Sequence, residues 1–589
     1  MSNEYKLITS EEGLRHAVER LQTHAAIGFD TETTDLDPYR GRLRLVQLAT
    51  PEETYVIDLD KFAERPREHA GLDPLRRLLE ADRPVKIAHN AKFDLKWTCR
   101  HLGVETGMVF DTLLASQLLS AGLDERHNLD AVMMRYLGES VDKTERGSDW
   151  SGELSEAQLL YAARDVALLV RLRDKMIERL KAEGLVQCAR LEFECVPATA
   201  AIELAGFYLD KERWHQQMAA IERERARIAA ELQEMLAEGS AQGMLFAGAR
   251  TEINLDSHAQ LTEALRRLGV PVSNSTRNWR LQPLAAKYPV VAKLLEYRTV
   301  QKAMTSFGQN FLDAINPVTE RIHANFHQIG APTGRYACVD PNIQQIPHAP
   351  EYRRCFRAPE GRKLVICDFS QIELRILAEY SKDQNFIATF LSGTDFHRTT
   401  AAQVFRLAPE DVTPEQRSFA KRLNFGVVYG IGASRFALMT GLSEKEAEEV
   451  MRRYFATYPA LDAWLKEAGR RAVRERETRT LSGRKARFAF DPEDKKAASL
   501  VERNGKNTPI QGTSADILKR ALRLLYEQLR GTSAEIVNIV HDEIVVETDA
   551  AQAEEVAAKV ERAMQTAGEE YIKVVPVVVD ARVADEWLK

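Results

Sequence analysis

Val537-Asn538-Ile539-Val540-His541-Asp542-Glu543-Ile544-Val545-Val546-Glu547 sets two adjacent acids between two apolar runs. Apolar runs flanking a short polar step predict a tight β-hairpin. The tip of such a hairpin ordinarily takes Gly or Asn, which tolerate positive φ. His541-Asp542-Glu543 at that place points to carboxylates wanted for chemistry, against the plainer reading of a solvated acidic turn. Further out, a second strand-like run, Lys363 to Cys367, ends in Asp368 and passes into a helical pattern from Gln371 to Tyr380. Acids at the ends of two adjacent strands can hold a pair of divalent cations.

A chain of 589 residues is too long for one core, so several domains are expected. Hydrophobic content of 44% and charged content of 29% describe a soluble globular protein. No stretch reaches bilayer-spanning length, and no membrane partner is expected. Met1 to Lys6 has neither an apolar signal core nor the Arg-rich character of a transit peptide. A cytoplasmic location follows, organellar only if a targeting segment has been removed. The six cysteines (Cys99, Cys188, Cys195, Cys338, Cys355, Cys367) form no CxxC and no zinc-like set with histidines. Reduced, packed thiols are expected. A net charge of −6 neither announces nor excludes a nucleic-acid binder, because a local basic surface matters more. Arg470-Arg471, Arg474, Arg476, Arg479, Arg484-Lys485 and Arg487 offer such a surface, or else a solvated helix face.

Along the chain, strand runs at Ala25 to Asp30, Leu43 to Ala49 and Thr54 to Leu59 form a meander. Helical patterns follow, with a parallel-type strand at Val85 to Ala88, which makes an α/β domain of residues 1 to about 185. From about 186 to 310 the pattern turns long, charged and helical (Glu212 to Glu238, then Leu261 to Leu268), as in an arm. The remainder mixes acid-bearing strands with a helical insertion between about 384 and 495. No internal repeat or low-complexity linker is present.

Phe29-Asp30-Thr31-Glu32-Thr33 places Asp30 and Glu32 at i and i+2 of a strand, on one face. Like charges so close repel unless a cation sits between them; an exposed strand face is the plainer alternative. His89-Asn90-Ala91-Lys92-Phe93-Asp94 supplies another acid where a strand gives way to a helix. Tyr161 and Asp165, at i and i+4 of a helix, again share a face. Four carboxylates and a tyrosine suit two hard, oxygen-liking cations, Mg²⁺ or Mn²⁺. In such a set the metals activate water and stabilise a phosphoryl leaving group, while the tyrosine orients the water. Through DTE, HNAKFD and YAARD the chain resembles the DEDD-type 3′→5′ exonucleases of the tyrosine subclass. The resemblance implies that Asp30, Glu32, Asp94 and Asp165 bind metal and that Tyr161 positions the nucleophile. Every position is filled.

Thr413-Pro414-Glu415-Gln416 opens a helix, with Thr as cap, Pro at the first position and Gln completing a capping box. Arg417, Lys421, Phe425 and Tyr429 then recur every four residues and, drifting by about 40° each, make one stripe. Cations can neutralise a triphosphate, and an aromatic ring one turn on can stack under a base. A partly exposed amphipathic helix remains the alternative. Gly430 and Gly432 end the helix.

Taken with Asp368 and Asp542, the stripe resembles the polymerase half of the family A DNA polymerases, of the bacterial polymerase I type. The motifs are DFSQIELRILAEYS, RSFAKRLNFGVVYG and HDEIVVE. Thr333-Gly334-Arg335, Pro341-Asn342-Ile343-Gln344, Asp395-Phe396-His397 and the run from Arg503 through Asn507 to Gln511 are similar too.

The resemblance covers nearly the whole chain. It implies an α/β plus α+β multidomain protein, an RNase H-like 3′→5′ exonuclease domain (1–185) followed by a right-hand polymerase. The latter would comprise thumb and connecting helices (186–310), palm (311–383 and 496–589) and fingers (384–495). By position, Asp368 and Asp542 are metal ligands with Glu543 in support. One ion of a Mg²⁺ pair lowers the pKa of the primer 3′-OH and the other bridges the triphosphate. Arg417, Lys421 and His397 hold phosphates, and Lys421 protonates the leaving group. Phe425 stacks on the incoming nucleotide, while Glu373 with Tyr429, beside Gln371, closes the space of a ribose 2′-OH. Arg335, Arg503, Asn507, Gln511 and His541 contact primer and template. The implied partners are primer-template DNA and dNTPs, bound by a monomer at the nucleoid.

Two departures stand out. The family usually follows Thr-Gly-Arg with a small hydroxylated pair, whereas this chain has Tyr336-Ala337-Cys338, which puts minor-groove contacts beside Arg335 in question. The chain also starts at the proofreading domain, so a 5′-nuclease role is not expected. A DEDD exoribonuclease would leave the palm acids and the stripe idle. A non-catalytic scaffold predicts loss of a metal carboxylate, and none is lost. A translesion specialist would typically carry a degraded exonuclease or extra insertions.

Overall fold

In the computed structural model, which describes residues 5–140, 147–238, 252–273, 275–428 and 430–588, the N-terminal strand runs form one six-stranded sheet. Its strands are β1 (Lys6–Ile8), β2 (Ala26–Thr33), β3 (Leu43–Ala49), β4 (Thr54–Asp58), β5 (Val85–Ala88) and β6 (Val109–Asp111), in the order β1-β4-β3-β2-β5-β6. The meander β2-β3-β4 is antiparallel, while β5, β6 and β1 add in parallel. Every residue of β3 is buried, as expected of a strand covered on both faces. One face packs Leu14, Phe29, Leu48, Ile57 and Trp97. The other packs Ile87, Phe110, Leu118, Val166 and Met176. Gly28 matters here: a Cβ on it would lie 2.5 Å from the Val166 carbonyl, so only glycine lets helix Glu156–Ala167 lie against β2.

Contacts divide the chain into two units. Unit 1 is Met1–Phe207, His323–Gln344 and Ala358–Asp585; unit 2 is Tyr208–Ile322, Gln345–Arg357 and Glu586–Lys589. Unit 1 holds a second sheet, antiparallel, in the order Glu535–Val540, Glu543–Asp549, Arg362–Phe369, Val579–Ala584. Helix Ala553–Tyr571 packs on it and on the 35-residue helix Lys495–Leu529. The expected insertion is helical from Gln384 to Glu475 and closes with the hairpin Glu477–Arg479, Lys485–Arg487. Buried Asp383 joins two of its helices, capping Gln384–Leu391 through Asn385 N at 3.1 Å and accepting from Ala460 N, at the start of Pro459–Glu475, at 2.8 Å.

Helix Val186–Ala205, which the sequence pattern groups with the arm, packs in unit 1 on Lys495–Leu529. Its sequence lacks an amphipathic stripe, yet Cys188, Leu191, Glu192, Cys195, Thr199 and Ile202 are buried along it. Unit 2 begins with the long helix Lys211–Glu238, packed on Pro289–Phe307 around Ile228, Leu232, Leu265, Val291 and Leu294. A second cluster in that unit joins Trp214, Phe311, Tyr352, Phe356 and Trp587.

The basic run is corrected in part. Arg484 is buried and paired with Asp516 at 2.6 Å and with Glu192. Lys485 and Arg487 pair with Glu183. These cations are spent on carboxylates of the chain itself, and Arg470, Arg471, Arg474, Arg476 and Arg479 remain exposed. All six cysteines are free thiols and all but Cys99 are buried. Among the described residues no helix is long and apolar enough to cross a membrane.

Candidate active sites

Strand β2 carries Asp30 and Glu32 on the face that Gly28 opens to helix Glu156–Ala167. That helix begins with a full capping box between Ser155 and Gln158, which fixes its register and sets Tyr161 and Asp165 over the strand. Asp94 enters from the first turn of helix Lys92–Leu102, and Thr31 Oγ1 donates to its Oδ1 at 2.6 Å. The turn before it bends through Asn90 at φ +68°. Two supports went unread in the sequence: Asp111 accepts from Ala91 N at 2.8 Å, and Glu203 holds Lys92 Nζ at 2.6 Å.

The four carboxylates lie near enough to perturb one another. Burial, then Asp94, Glu32 and Asp165, push Asp30 well above the usual carboxylate range. Burial, Asp165 and Asp94 raise Glu32 to about 8, and burial raises Asp94 to about 7. Tyr161 is pushed up by burial and by Asp165, to which its hydroxyl donates. Among the described residues no three His, Cys, Asp or Glu side chains draw together as an ion cage. Asp30 and Glu32 nonetheless feel Asp94 and Asp165 as like charges, and a divalent cation is the charge that would relieve that repulsion.

This makes a stability prediction. Acids with raised pKa values bind more protons folded than unfolded, so stability is lost as pH rises through the folded values, about 7 to 8. In chelator, the midpoint of exonuclease-domain unfolding should fall between pH 6.5 and 8.5, and Mg²⁺ or Mn²⁺ at the upper pH should restore it. A flat profile without an ion effect would contradict the electrostatic reading.

The second site sits on the antiparallel sheet. Asp368, near the end of strand Arg362–Phe369, pairs in register with Glu543, and Phe369 N donates to the Asp542 carbonyl at 3.1 Å. Asp368 and Asp542 thus stand at neighbouring strand ends. His541 and Asp542 form the hairpin turn, with His541 at φ +57° where glycine would be relaxed. Glu543 is buried beneath, at 1% exposure. Gln344 Nε2 donates to the Ile539 carbonyl at 3.0 Å and so holds the strand leading into the turn. Gln371, also left-handed at φ +57°, starts helix Ile372–Ser381, whose first turn buries Glu373. Arg335 pairs with Glu373.

The helix with the cation-aromatic stripe runs from Pro414 to Val428, and its capping box is formed: Thr413 N donates to Gln416 Oε1 at 2.9 Å and Gln416 N to Thr413 Oγ1 at 3.3 Å. Gly430, at φ +61°, follows its end. Arg417 is held by Asp395 at 2.7 Å, and Lys421 is exposed one turn on. Phe425 lies beside His397, ring centroids 5.8 Å apart. Tyr429 lies outside the described residues. His397 is 3% exposed, and burial lowers it to about 4, so it is neutral rather than a cation at pH 7. Asn424 Nδ2 donates to His397 Nδ1 at 3.0 Å, which leaves Nε2 as the protonated donor.

Residues 222–589 match the family described as DNA polymerase family A, and residues 5–181 match a 3′-5′ exonuclease family. The chain belongs to the family A DNA polymerases. DNA polymerase I of Aquifex aeolicus (strain VF5) is 36% identical to this polymerase over 633 aligned positions, covering 100% of both chains. DNA polymerase I of Pseudomonas aeruginosa is 32% identical over 629 positions, which take in 99% of this chain and 66% of the relative. In fold, the polymerase is similar to the POL domain of Pol1 from M. smegmatis, solved in complex with DNA primer-template and dNTP. The TM-score is 0.85 at 24% identity, and the match covers 99% of each chain. The exonuclease domain thus precedes the polymerase domain, and the enzyme has DNA polymerase and 3′→5′ exonuclease activity.

On the polymerase side, Arg503, Asn507 and Gln511 follow at four-residue intervals along one face of helix Lys495–Leu529. Arg503 lies against the end of the stripe helix, since a Cβ on Gly430 would come 3.3 Å from its Cγ. A Cβ on Gly512 would sit 2.9 Å from the Thr333 carbonyl, so the loop bearing Arg335 rests directly on this helix. Two residues of this site went unassigned in the sequence. Asn424 sets the tautomer of His397. Arg375, inside the first motif, donates to the Ser370 carbonyl at 2.7 Å and pins the turn after Asp368. Only the motif run itself could have signalled Arg375.

Proposed function

We propose that this chain extends a primer 3′-OH with deoxynucleotides on a template and trims mispaired ends, using a pair of Mg²⁺ or Mn²⁺ ions at each of two carboxylate sites. The observation that carries this reading is the register that sets Asp368 opposite Glu543 and hence beside Asp542. Hard oxygen donors fit such ions. Asp368 and Asp542 would hold them in one site, and Asp30, Glu32, Asp94 and Asp165 in the other. Bound there, the ions supply an acidified attacking hydroxyl or water and charge compensation on phosphate.

The chain's own groups do the rest. Arg417 exchanges Asp395 for a phosphate oxygen, and neutral His397 donates through Nε2. Lys421 gives a proton to the departing pyrophosphate. Phe425 stacks on the base, and Gln371, Glu373 and Tyr429 bound the sugar. Arg335, Arg503, Asn507, Gln511 and His541 hold primer and template, pairing rather than side chains reading the sequence. Tyr161 orients the attacking water at the exonuclease site, and Glu543 supports Asp368 and Asp542 from below. In this reading residues 1–185 proofread, 186–310 form the thumb region, 384–495 the fingers, and 311–383 with 496–589 the palm. The protein acts as a monomer at the nucleoid, and none of its residues is assigned a 5′-nuclease role.

Glu373 gives a specific test. Glu373→Ala opens the space of a 2′-OH, and ribonucleotide incorporation relative to deoxyribonucleotide should rise by about 10- to 100-fold. Unchanged discrimination in single-nucleotide extension would remove Glu373 from the sugar gate.

A further inference from the structure

Arg335 is flanked by two residues that are each tied to the interior. On one side, the Gly334 carbonyl accepts from Lys519 Nζ at 2.7 Å. On the other, the Tyr336 hydroxyl bonds Thr199 Oγ1 at 2.7 Å and lies 3.3 Å from Cys195 Sγ. The backbone of Arg335 is itself closed into a turn, its carbonyl accepting from Gly330 N at 2.9 Å and Gly334 N donating to Ala331 O at 2.8 Å.

Both ties end on the same buried lattice. Lys519 Nζ also donates to Glu192 at 2.5 Å, and its ammonium lies 5.5 Å from the centroid of the Tyr336 ring. Thr199 donates to Gln328 Oε1 at 3.0 Å, and Gln328 Nε2 donates to Glu192 at 2.5 Å. Arg484 completes the lattice by joining Glu192 to Asp516. Glu192, Asp516, Arg484 and Lys519 are all at most 3% exposed, and their formal charges cancel. Gly334, at φ +85°, has Arg484 against it: a Cβ there would meet Arg484 Nε at 2.7 Å.

We propose that Tyr336, with Thr199 and Lys519, is a positioning residue for Arg335, fixing the backbone on both sides so that its guanidinium, paired with Glu373 in this structure, is presented to the primer-template from one preset direction. The tyrosine ring turns inward, and its hydroxyl grips helix Val186–Ala205 through Thr199 and Cys195. The residue's effect on synthesis passes through Arg335 and through no contact of its own. A planar guanidinium on a long, rotamer-rich stem needs such a base, because its five donors act only in a set orientation. The inference rests on the reading of Arg335 as a primer-template contact.

The test is a double-mutant cycle in the full chain, read as primer-template Kd and as single-turnover extension with saturating dNTP. Tyr336→Phe keeps the ring and removes the hydroxyl; Thr199→Val cuts the same bond from the other end. Each should weaken primer-template affinity by about 3- to 10-fold, the scale of one hydrogen bond. In an Arg335→Ala background the same substitutions should change affinity by less than about 1.5-fold, since distant effects that do not couple would simply add. Degradation of a single strand serves as the folding control and should stay at the parental rate. If Arg335→Ala alone leaves affinity unchanged, the reading of Arg335 fails, and the inference with it. If Arg335→Ala weakens binding but Tyr336→Phe is silent, or costs the same factor in both backgrounds, the inference alone is overturned.

Discussion

Asp542→Ala is expected to abolish primer extension, by about 10³-fold or more, and to leave 3′→5′ degradation at the wild-type rate. Asp542 stands at a half-buried hairpin turn beside the end of the strand bearing Asp368. Truncating it leaves the flanking strands and buried Glu543 intact, so the sheet should persist. What is lost is one of two oxygen-donor groups at neighbouring strand ends, and nothing nearby replaces it in kind: Asp580, in register with Asp368 on the other side, is already exposed on a different strand. Extension of a labelled primer and decay of a labelled single strand, measured on the same preparation, give both rates. Loss of both activities in a folded protein would mean that the two sites are not separate.

Asp30→Ala should do the reverse, removing degradation by a similar factor while extension proceeds unchanged. Its neighbours make the case. Burial and then Asp94, Glu32 and Asp165 raise the pKa of Asp30, and no group of the polymerase motifs figures among the influences on it. Asp30 is half-buried, so truncating it removes little packing and the variant should stay folded in chelator. Residual degradation at the parental rate would take Asp30 out of the site.

Much of this was legible in the sequence because it is local. Asp30 and Glu32 share a face by strand alternation, Tyr161 and Asp165 by helical spacing, and both survive folding because Gly28 brings the two elements together. The His-Asp-Glu hairpin announced itself by breaking the usual turn chemistry, and His541 does adopt the left-handed backbone that such a break requires. The capping box at Thr413 formed as its residue types dictate.

What escaped the sequence is long-range and buried. Arg484 looked like part of a basic surface, yet its carboxylate partner Glu192 lies 292 residues away. Lys519 meets the same glutamate from 327 residues away. No local pattern encodes such pairs; they arise when helix Val186–Ala205 is packed against Lys495–Leu529, and charge counting alone assigns those cations to solvent. The protonation state of His397 is a further buried property. The resemblance assigns His397 to phosphate without fixing its charge, and burial with Asn424 makes it a neutral donor.

The central claim, two separate sites on one chain with opposite effects on a primer, is tested most directly on one gel. A 5′-labelled primer annealed to a longer template is incubated with the protein and Mg²⁺, with and without all four dNTPs. Lengthening with dNTPs and shortening without them is the result this account requires. Shortening in both lanes would contradict it and leave the polymerase motifs without a catalytic role; an unchanged primer in both lanes would contradict both sites at once.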